Sequence, residues 1–342
     1  MIDWQSGETN ILLNPRLSVE RERQLRDAVQ QQGSHLSGHV WIASSGTTGA
    51  AKLVALSKEA ILCSAAAVNR HLESNASDRW CLALPTFHVG GLGILARAYV
   101  SGADVMSLDV WDPKQFVSVC RDKKCTLTSL VPTQLYDLVR ASTQAPPSLR
   151  AVIIGGGRLA PELAQRALDL GWPVLPSYGL TECASQAATA PVYKVPPVGV
   201  GLLLGGLRIL EHVTVESRNG VLCFKGKMLF SGYLIEKHSQ CNFMNPMKDG
   251  WFVSDDRGEV QGDTLIVHGR AGDIVKVCGE NVDVGRLQEI LQEVMLREGF
   301  KGDAAVVAVP DERLGNVIHV LVDTVGARHA VPLQDIFNTI VM

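Results

Sequence analysis

Apolar residues along this chain alternate between two spacings, short continuous runs and helical three-and-four steps. Residues 14 to 33 are charged with apolar positions at helical spacing, which predicts an amphipathic helix closing at Gly33. "HVWIAS" (39 to 44) is a short apolar run, the pattern of a buried strand. "LSKEAILCSAAAVNRHL" (56 to 72) predicts a helix, with Ser57 as N-cap and Glu59 in the first turn. "RWCLALP" (79 to 85) predicts a strand, residues 92 to 100 a helix and "ADVMSL" (103 to 108) a strand. "DPKQFVSVCRDKK" is a helix opened by Pro113, followed by the strand "CTLTSLV" and the helix "PTQLYDLVRAS". The strand "LRAVIIGG", the helix "APELAQRALDLG" and the strand "PVLPSYG" continue the series. Such alternation predicts a parallel sheet with helices on its faces.

The pattern changes near Gly199. From there to about Val267 the runs are short, and Asn219-Gly220 between two of them predicts a tight hairpin. This part reads as a β-rich appendage of the large domain. After Gly269 a strand, a helix and two strands predict a small α+β unit. The expected fold class is therefore α/β: a large domain over 1–269, with its β-rich part at about 199–268, and a small C-terminal α+β domain over 270–342.

Composition narrows the classes. The 342 residues are 46% hydrophobic and 20% charged, the balance of a globular protein with a core. Net charge is -3, so no basic field points to nucleic acid. The longest apolar stretch, Val198 to Leu210, is broken by glycines and an Arg and is too short to span a bilayer. The start "MIDWQSGETN" has no signal-peptide pattern, and the expected location is the cytoplasm. Eight scattered cysteines contain no CxxC pair; Cys120 and Cys125 are the closest two, and buried free thiols are the expected state.

One loop carries chemistry. In "SSGTTGAAK" (44 to 52) the glycines let backbone amides approach an anion, four hydroxyls add donors and Lys52 adds charge. Gly46 and Gly49 are too close for a Walker loop, and Leu53 follows Lys52. Alone, the stretch is either a phosphate loop or a flexible polar turn between strand and helix.

Its companions resemble one family. "SSGTTGAAKLV" resembles the signature [ST]-S-G-[ST]-T-G-x-P-K-G of the adenylate-forming superfamily, with Ala51 and Leu53 in place of Pro and Gly. "LPTFHVGGL", "VIIGGGRL", "YGLTE", "GWFVSDDRG" and "GRAGDIVKVCGENVDVGRLQEIL" follow in that superfamily's order. Within it, "LPTFHVGGLGI", "TSLVPTQLYDLV" and "DGWFVSDDRGEV" are most similar to the o-succinylbenzoate–CoA ligase family of menaquinone synthesis.

The resemblance implies an AMP-forming acid–thiol ligase that uses ATP, Mg2+ and coenzyme A. An acyl-adenylate forms first and a CoA thioester second. Catalytic positions are then Lys52, His88, Thr181 and Glu182, with Glu182 also the Mg2+ ligand. Nucleotide contacts fall on Ser44, Ser45, Gly46, Thr47, Thr48 and Gly49, on Gly155, Gly156 and Gly157, and on Tyr178, Gly179, Asp256 and Arg270. His88, Gly90 and Ser177 line the acid pocket, and Gly272 is the hinge about which a mobile small domain swings. Expected partners are o-succinylbenzoate, ATP and CoA, without nucleic acid or membrane insertion; many relatives self-associate.

Two departures accompany the likeness. Relatives carry a longer segment before the loop. They also end in a Gly-Lys motif whose lysine serves adenylation, whereas after Ala308 the cations here are Arg313 and Arg328, neither in a Gly-Lys context. The small domain is accordingly expected to be truncated. Another acyl or aryl acid adenylating enzyme, or a catalytically impaired nucleotide-binding homologue, remains a competing reading.

Overall fold

The computed structural model describes residues 2–44, 52–193, 205–237, 240–277, 280–300, 302–311 and 313–323. The predicted loop residues Ser45, Gly46, Thr47, Thr48 and Gly49 lie outside the described residues, as do Cys278 and Gly279.

Helix α1 (Val19–Gln32) starts later than its apolar spacing predicts. Asn14 Oδ1 accepts from Arg16 N at 2.9 Å, which holds the preceding segment in a turn, and Ser18 caps the helix through Arg21 N. Strand β1 (Asn10–Leu12) precedes it and β2 (His39–Ser44) follows. The next element was not expected: Lys52–Ser57 is a strand, β3, antiparallel to β2 in full register from His39↔Ser57 to Ser44↔Lys52. The opening loop therefore joins two strands, not a strand and a helix. The four central residues of β3 are all buried, so no in-out alternation marks them as a strand. Helix α2 (Lys58–Leu72) begins at the predicted Ser57 cap.

The parallel core matches the alternation read from sequence. Strands β4 (Arg79–Leu82), β5 (Asp104–Ser107), β6 (Leu127–Leu130), β7 (Ala151–Ile154) and β8 (Val174–Leu180) lie in the order β5-β4-β6-β7-β8. Helices α3 (Val89–Ser101), α4 (Pro113–Asp122), α5 (Pro132–Arg140) and α6 (Pro161–Asp169) connect them. Three helices open on Pro at the first turn, where its missing N–H is harmless. Helix α3 starts at Val89 rather than at residue 92. Gly91 sits where a Cβ would come within 2.3 Å of the Pro85 carbonyl oxygen, and Gly90 and Gly91 lie in the first turn of the helix.

The β-rich part is no appendage. Strands β9 (Ser185–Thr189), β10 (Leu207–Ile209), β11 (Thr214–Arg218), β12 (Val221–Lys225), β15 (Phe252–Gln261) and β16 (Thr264–Arg270) extend the parallel core into one eleven-stranded sheet. Strands β13 (Gly232–Lys237) and β14 (Gln240–Met244) instead join β1, β2 and β3, through β13 pairing with β3. The reason lies in unpaired edges: β8 and β3 each offer a free edge that a later strand covers. The Asn219-Gly220 hairpin is present between β11 and β12, with φ of 54° and 78°.

The C-terminal unit holds a hairpin of β17 (Ile274–Val277) and β18 (Glu280–Asp283), helix α7 (Val284–Arg297), and a hairpin of β19 (Asp303–Asp311) and β20 (Gly315–Asp323). Leu296 of α7 packs into the core beside Leu163 and Ala167 of α6. Arg158 reaches Glu289 of α7 at 2.6 Å. Among the described residues no helix is long and apolar enough to cross a membrane.

A buried carboxylate ties the amino edge of the core. Asp78 accepts from Arg150 Nε at 2.9 Å, Arg150 NH2 at 2.7 Å, Thr126 Oγ1 at 2.7 Å and Asn75 N at 3.1 Å. Burial by itself pushes this carboxyl up, but the Arg150 and Thr126 hydrogen bonds outweigh it and hold it below the usual carboxylate range. A depressed folded-state pKa gives stability that is complete above the unfolded value of about 4 and is lost as pH falls through the folded value. Asp78→Asn should cost about 2 kcal/mol near neutral pH and should flatten the acid limb of the stability curve, as measured by urea unfolding between pH 3 and 7. A variant as stable as the parent would remove this network from the account.

Candidate active site

The site is built where β8 leaves the sheet. Tyr178 and Gly179 straddle a register shift between β8 and β9. A Cβ on Gly179 would meet the Ser185 carbonyl oxygen at 2.0 Å, so only glycine fits here. Thr181–Cys183 form a single 3-10 turn, and Ala184 and Ser185, with φ of 52° and 114°, reverse the chain into β9. This reversal holds Tyr178, Thr181 and Glu182 at the carboxyl edge of the parallel strands, where open α/β sheets bind ligands.

Two clusters meet there. In the first, the Tyr178 hydroxyl donates to Asp256 Oδ2 at 2.5 Å, and its ring lies against Phe224 with centroids 6.1 Å apart. Asp256 of β15 is buried and stands opposite Arg270 of β16, whose Nε donates to Oδ1 at 3.1 Å. Burial, and then the Asp256 charge, pushes the Tyr178 hydroxyl far above its ordinary range, so it stays a donor. The Arg270 head remains largely exposed, with a side-chain exposure of 56%, so it is free to meet a further anion.

In the second cluster the Tyr233 hydroxyl donates to Glu182 Oε1 at 2.8 Å, and Lys52 Nζ lies 3.8 Å from the same oxygen. Lys52 Nζ also sits 3.4 Å from the centroid of the Tyr233 ring. Burial lowers the Lys52 ammonium pKa, while the Glu182 and Asp255 charges oppose the fall. The backbone locks this geometry: Phe230 N donates to Glu182 O at 2.9 Å, and Tyr233 pairs with Val54 across β13 and β3.

The remaining predicted positions follow the same edge. Gly155 faces Ser177, whose hydroxyl donates to Ile154 O at 3.0 Å; a Cβ on Gly155 would lie 2.9 Å from Ser177 Oγ. Gly156 has φ of 76°, and Gly157 follows it. His88 is the N-cap residue of α3 and makes no side-chain cap bond; burial lowers its pKa, so it is neutral at pH 7. Gly90 lies in the first turn of α3. Ser44 ends β2, and Gly272 sits in a 3-10 turn between β16 and β17 with open space where a Cβ would be.

Sequence reasoning missed two side chains. Tyr233 reads as an ordinary strand aromatic in "SGYL", because its importance comes from the pairing of β13 with β3. Arg97 was read only as part of a helix. It is fully buried, with its NH2 3.0 Å from Ser185 Oγ and its NH1 3.3 Å from Ser129 Oγ. Its Nε has no partner, and among the described residues no carboxylate pairs with it. Burial pulls its pKa down to about 9. Gly93, one turn earlier, leaves the space this guanidinium fills. The available signal was an arginine on the apolar helix "VGGLGILARAYVS".

The carboxyl edge of this mixed α/β sheet thus gathers Tyr178, Glu182, Asp256 and Arg270, at the place where open α/β sheets bind ligands. The AMP-binding enzyme family model matches residues 16–234, and the chain belongs to that family. It is 29% identical over 310 residues to a 2-succinylbenzoate–CoA ligase of Enterococcus faecalis, covering 87% of this chain and 62% of the relative. A ligase of the same name from Bacillus licheniformis is 31% identical over 283 residues, with 81% and 58% covered. The chain thus spans about three-fifths of the length of these relatives. The o-succinylbenzoate CoA synthetase of Bacillus subtilis in complex with ATP and magnesium superposes with a TM-score of 0.69 at 25% identity, covering 86% of this chain and 62% of that one. The same synthetase with the acyl-adenylate intermediate gives 0.71 at 24%, covering 87% and 61%.

The Lys52 environment is directly testable. Glu182→Gln deletes the charge that most opposes the fall of the Lys52 pKa, so more of the amine should be neutral near pH 8. Residue-resolved acylation of Lys52 should then be several-fold faster than in the parent; an equal rate would mean that Glu182 does not sense Lys52.

Proposed function

We propose that this chain carries the ATP-dependent acid–CoA ligase chemistry of its relatives, with o-succinylbenzoate as the acid. The observation that carries the reading is the joint arrangement at one sheet edge: the Tyr178–Asp256–Arg270 cluster beside the Lys52–Tyr233–Glu182 cluster. Asp256 is suited to accept from ribose hydroxyls, Tyr178 to lie against adenine and Arg270 to meet ribose and phosphate. Gly155, Gly156 and Gly157 leave room on the adenine side. Thr181 is placed to donate to the α-phosphate, and the residues Ser44, Ser45, Gly46, Thr47, Thr48 and Gly49 would hold the β- and γ-phosphates.

In the first step a carboxylate oxygen attacks the α-phosphorus and pyrophosphate leaves. Lys52 and Arg270 then offset charge developing on the phosphates. Glu182 fits a magnesium ion: it is a hard oxygen donor whose Oε1 is oriented by Tyr233 and whose Oε2 has no partner among the described residues. When bound, that ion neutralises phosphate charge. In the second step the CoA sulfur attacks the acyl carbon and AMP leaves. His88, Gly90 and Ser177 line the acid pocket in this reading. The domains run 1–269 and 270–342, with Gly272 as the hinge and the cytoplasm as the setting.

Arg97 favours a dicarboxylate over a fatty acid. A buried guanidinium without an anion is expensive, and a second carboxylate on the substrate relieves it. O-succinylbenzoate keeps one carboxylate ionised while the other is activated.

Four measurements test the reading. Pyrophosphate release should depend on o-succinylbenzoate; release with another acid alone would reject this substrate. Thioester formation from synthetic o-succinylbenzoyl-AMP and CoA separates the second step from the first, and its absence in both assays would favour nucleotide binding without catalysis. Glu182→Gln should lower Mg2+-dependent turnover by about 100-fold or more. Arg97→Leu should raise KM for the dicarboxylate by about 100-fold while leaving an analogue with one carboxylate unaffected, with partial recovery in Arg97→Lys. Equal losses on both acids would make Arg97 a purely structural residue.

A further inference from the structure

Away from the site, three cysteines that are separated in sequence meet in the core. Cys81 lies on β4, Cys120 in the last turn of α4 and Cys125 just before β6. All three are fully buried and free, and their Sγ atoms lie within 4.8 Å of one another. Backbone anchors fix the arrangement. Strands β4 and β6 pair through Trp80↔Leu127 and Cys81↔Thr128, which carries Cys81 to the α4–β6 turn. Lys124, with φ of 51°, turns the chain so that Cys125 N donates to Cys120 O at 2.9 Å, and Thr126 N donates to Arg79 O at 2.8 Å. Spacing along the chain showed only Cys120 and Cys125; the third sulfur arrives through sheet pairing.

We propose that Cys81, Cys120 and Cys125 form a closed three-sulfur site for a thiophilic ion, with a trivalent metalloid such as arsenic as the best charge match. Metal–thiolate bonds of about 2.3 Å place three trigonal sulfurs about 4 Å apart, within the observed spread. Soft sulfur donors select soft ions, which separates this site from the hard magnesium chemistry at Glu182. The sulfurs share their core with Phe116, Leu130 and Leu135, so net charge is costly. A divalent ion on three thiolates leaves one negative charge there. Trivalent arsenic leaves none: arsenous acid and three thiols form three As–S bonds and release three waters, with no electron transferred.

The test is thiol protection in the full chain under reducing conditions. The protein is incubated with arsenite natively, and in parallel refolded from denaturant with arsenite present, because the sulfurs are enclosed. Rapid alkylation in denaturant, which exposes all eight cysteines, should show three of them protected after arsenite, mapping to Cys81, Cys120 and Cys125, and none in an arsenite-free control. Cys81→Ser, Cys120→Ser and Cys125→Ser should each weaken binding at least tenfold, while Cys223→Ser should leave it unchanged. Cadmium in place of arsenite should bind more weakly. No protection by either route, or full protection in each single variant, would overturn the site; tighter cadmium binding would overturn the assignment to a trivalent ion.

Discussion

The fold turns on the reversal between β8 and β9. Gly179 allows the Ser185 carbonyl to approach more closely than any side chain would permit, and Ala184 and Ser185 take up left-handed backbone to complete the turn. The reversal does two things at once. It leaves Tyr178, Thr181 and Glu182 projecting at the carboxyl edge, and it converts a parallel sheet into an antiparallel one. Because the sheet continues, β15 and β16 arrive in register to set Asp256 against Tyr178. A larger residue at position 179 would disturb both the motif and the strands that complete it.

The second sheet is fastened to the same turn. Phe230 N bonds to Glu182 O and Ser231 N bonds to Ala55 O, so one short segment bridges the two sheets. That bridge places Tyr233 between Lys52 and Glu182. Two cations, Lys52 and Arg270, then face three carboxylates, Glu182, Asp255 and Asp256, which leaves one carboxylate in excess. The excess carboxylate repels a bare anion, and an anion that brings its own cation meets less of that repulsion.

Much of this was legible in the sequence, for definite physical reasons. The Ser57 helix cap, Pro113 at the start of its helix and the Asn219-Gly220 turn are local chemistry, written within a few residues. Tyr178, Glu182, Asp256 and Arg270 stand in recognisable strings, and the structure brings them to one edge. What failed was long-range. Strand β3 has no alternating face, since β2 and β13 flank it and both its faces are covered. The integration of the β-rich strands into both sheets, Tyr233 and the third sulfur of the cysteine cluster depend on pairings between distant strands, which no local pattern encodes.

Arg97 shows where stability and function pull apart. Its helix is otherwise apolar, and its guanidinium meets two serine hydroxyls and the Trp80 ring rather than a carboxylate. Hydroxyl dipoles soften the desolvation of a cation but do not neutralise it, so the folded chain bears an unrelieved cost at this point. A ligand that supplies the missing negative charge binds the folded state alone, and by mass action it returns stability in proportion to its affinity. In the proposed reading that imbalance becomes selectivity: an acid with one carboxylate spends it on adenylation and leaves Arg97 unpaired, whereas an acid with two satisfies both demands.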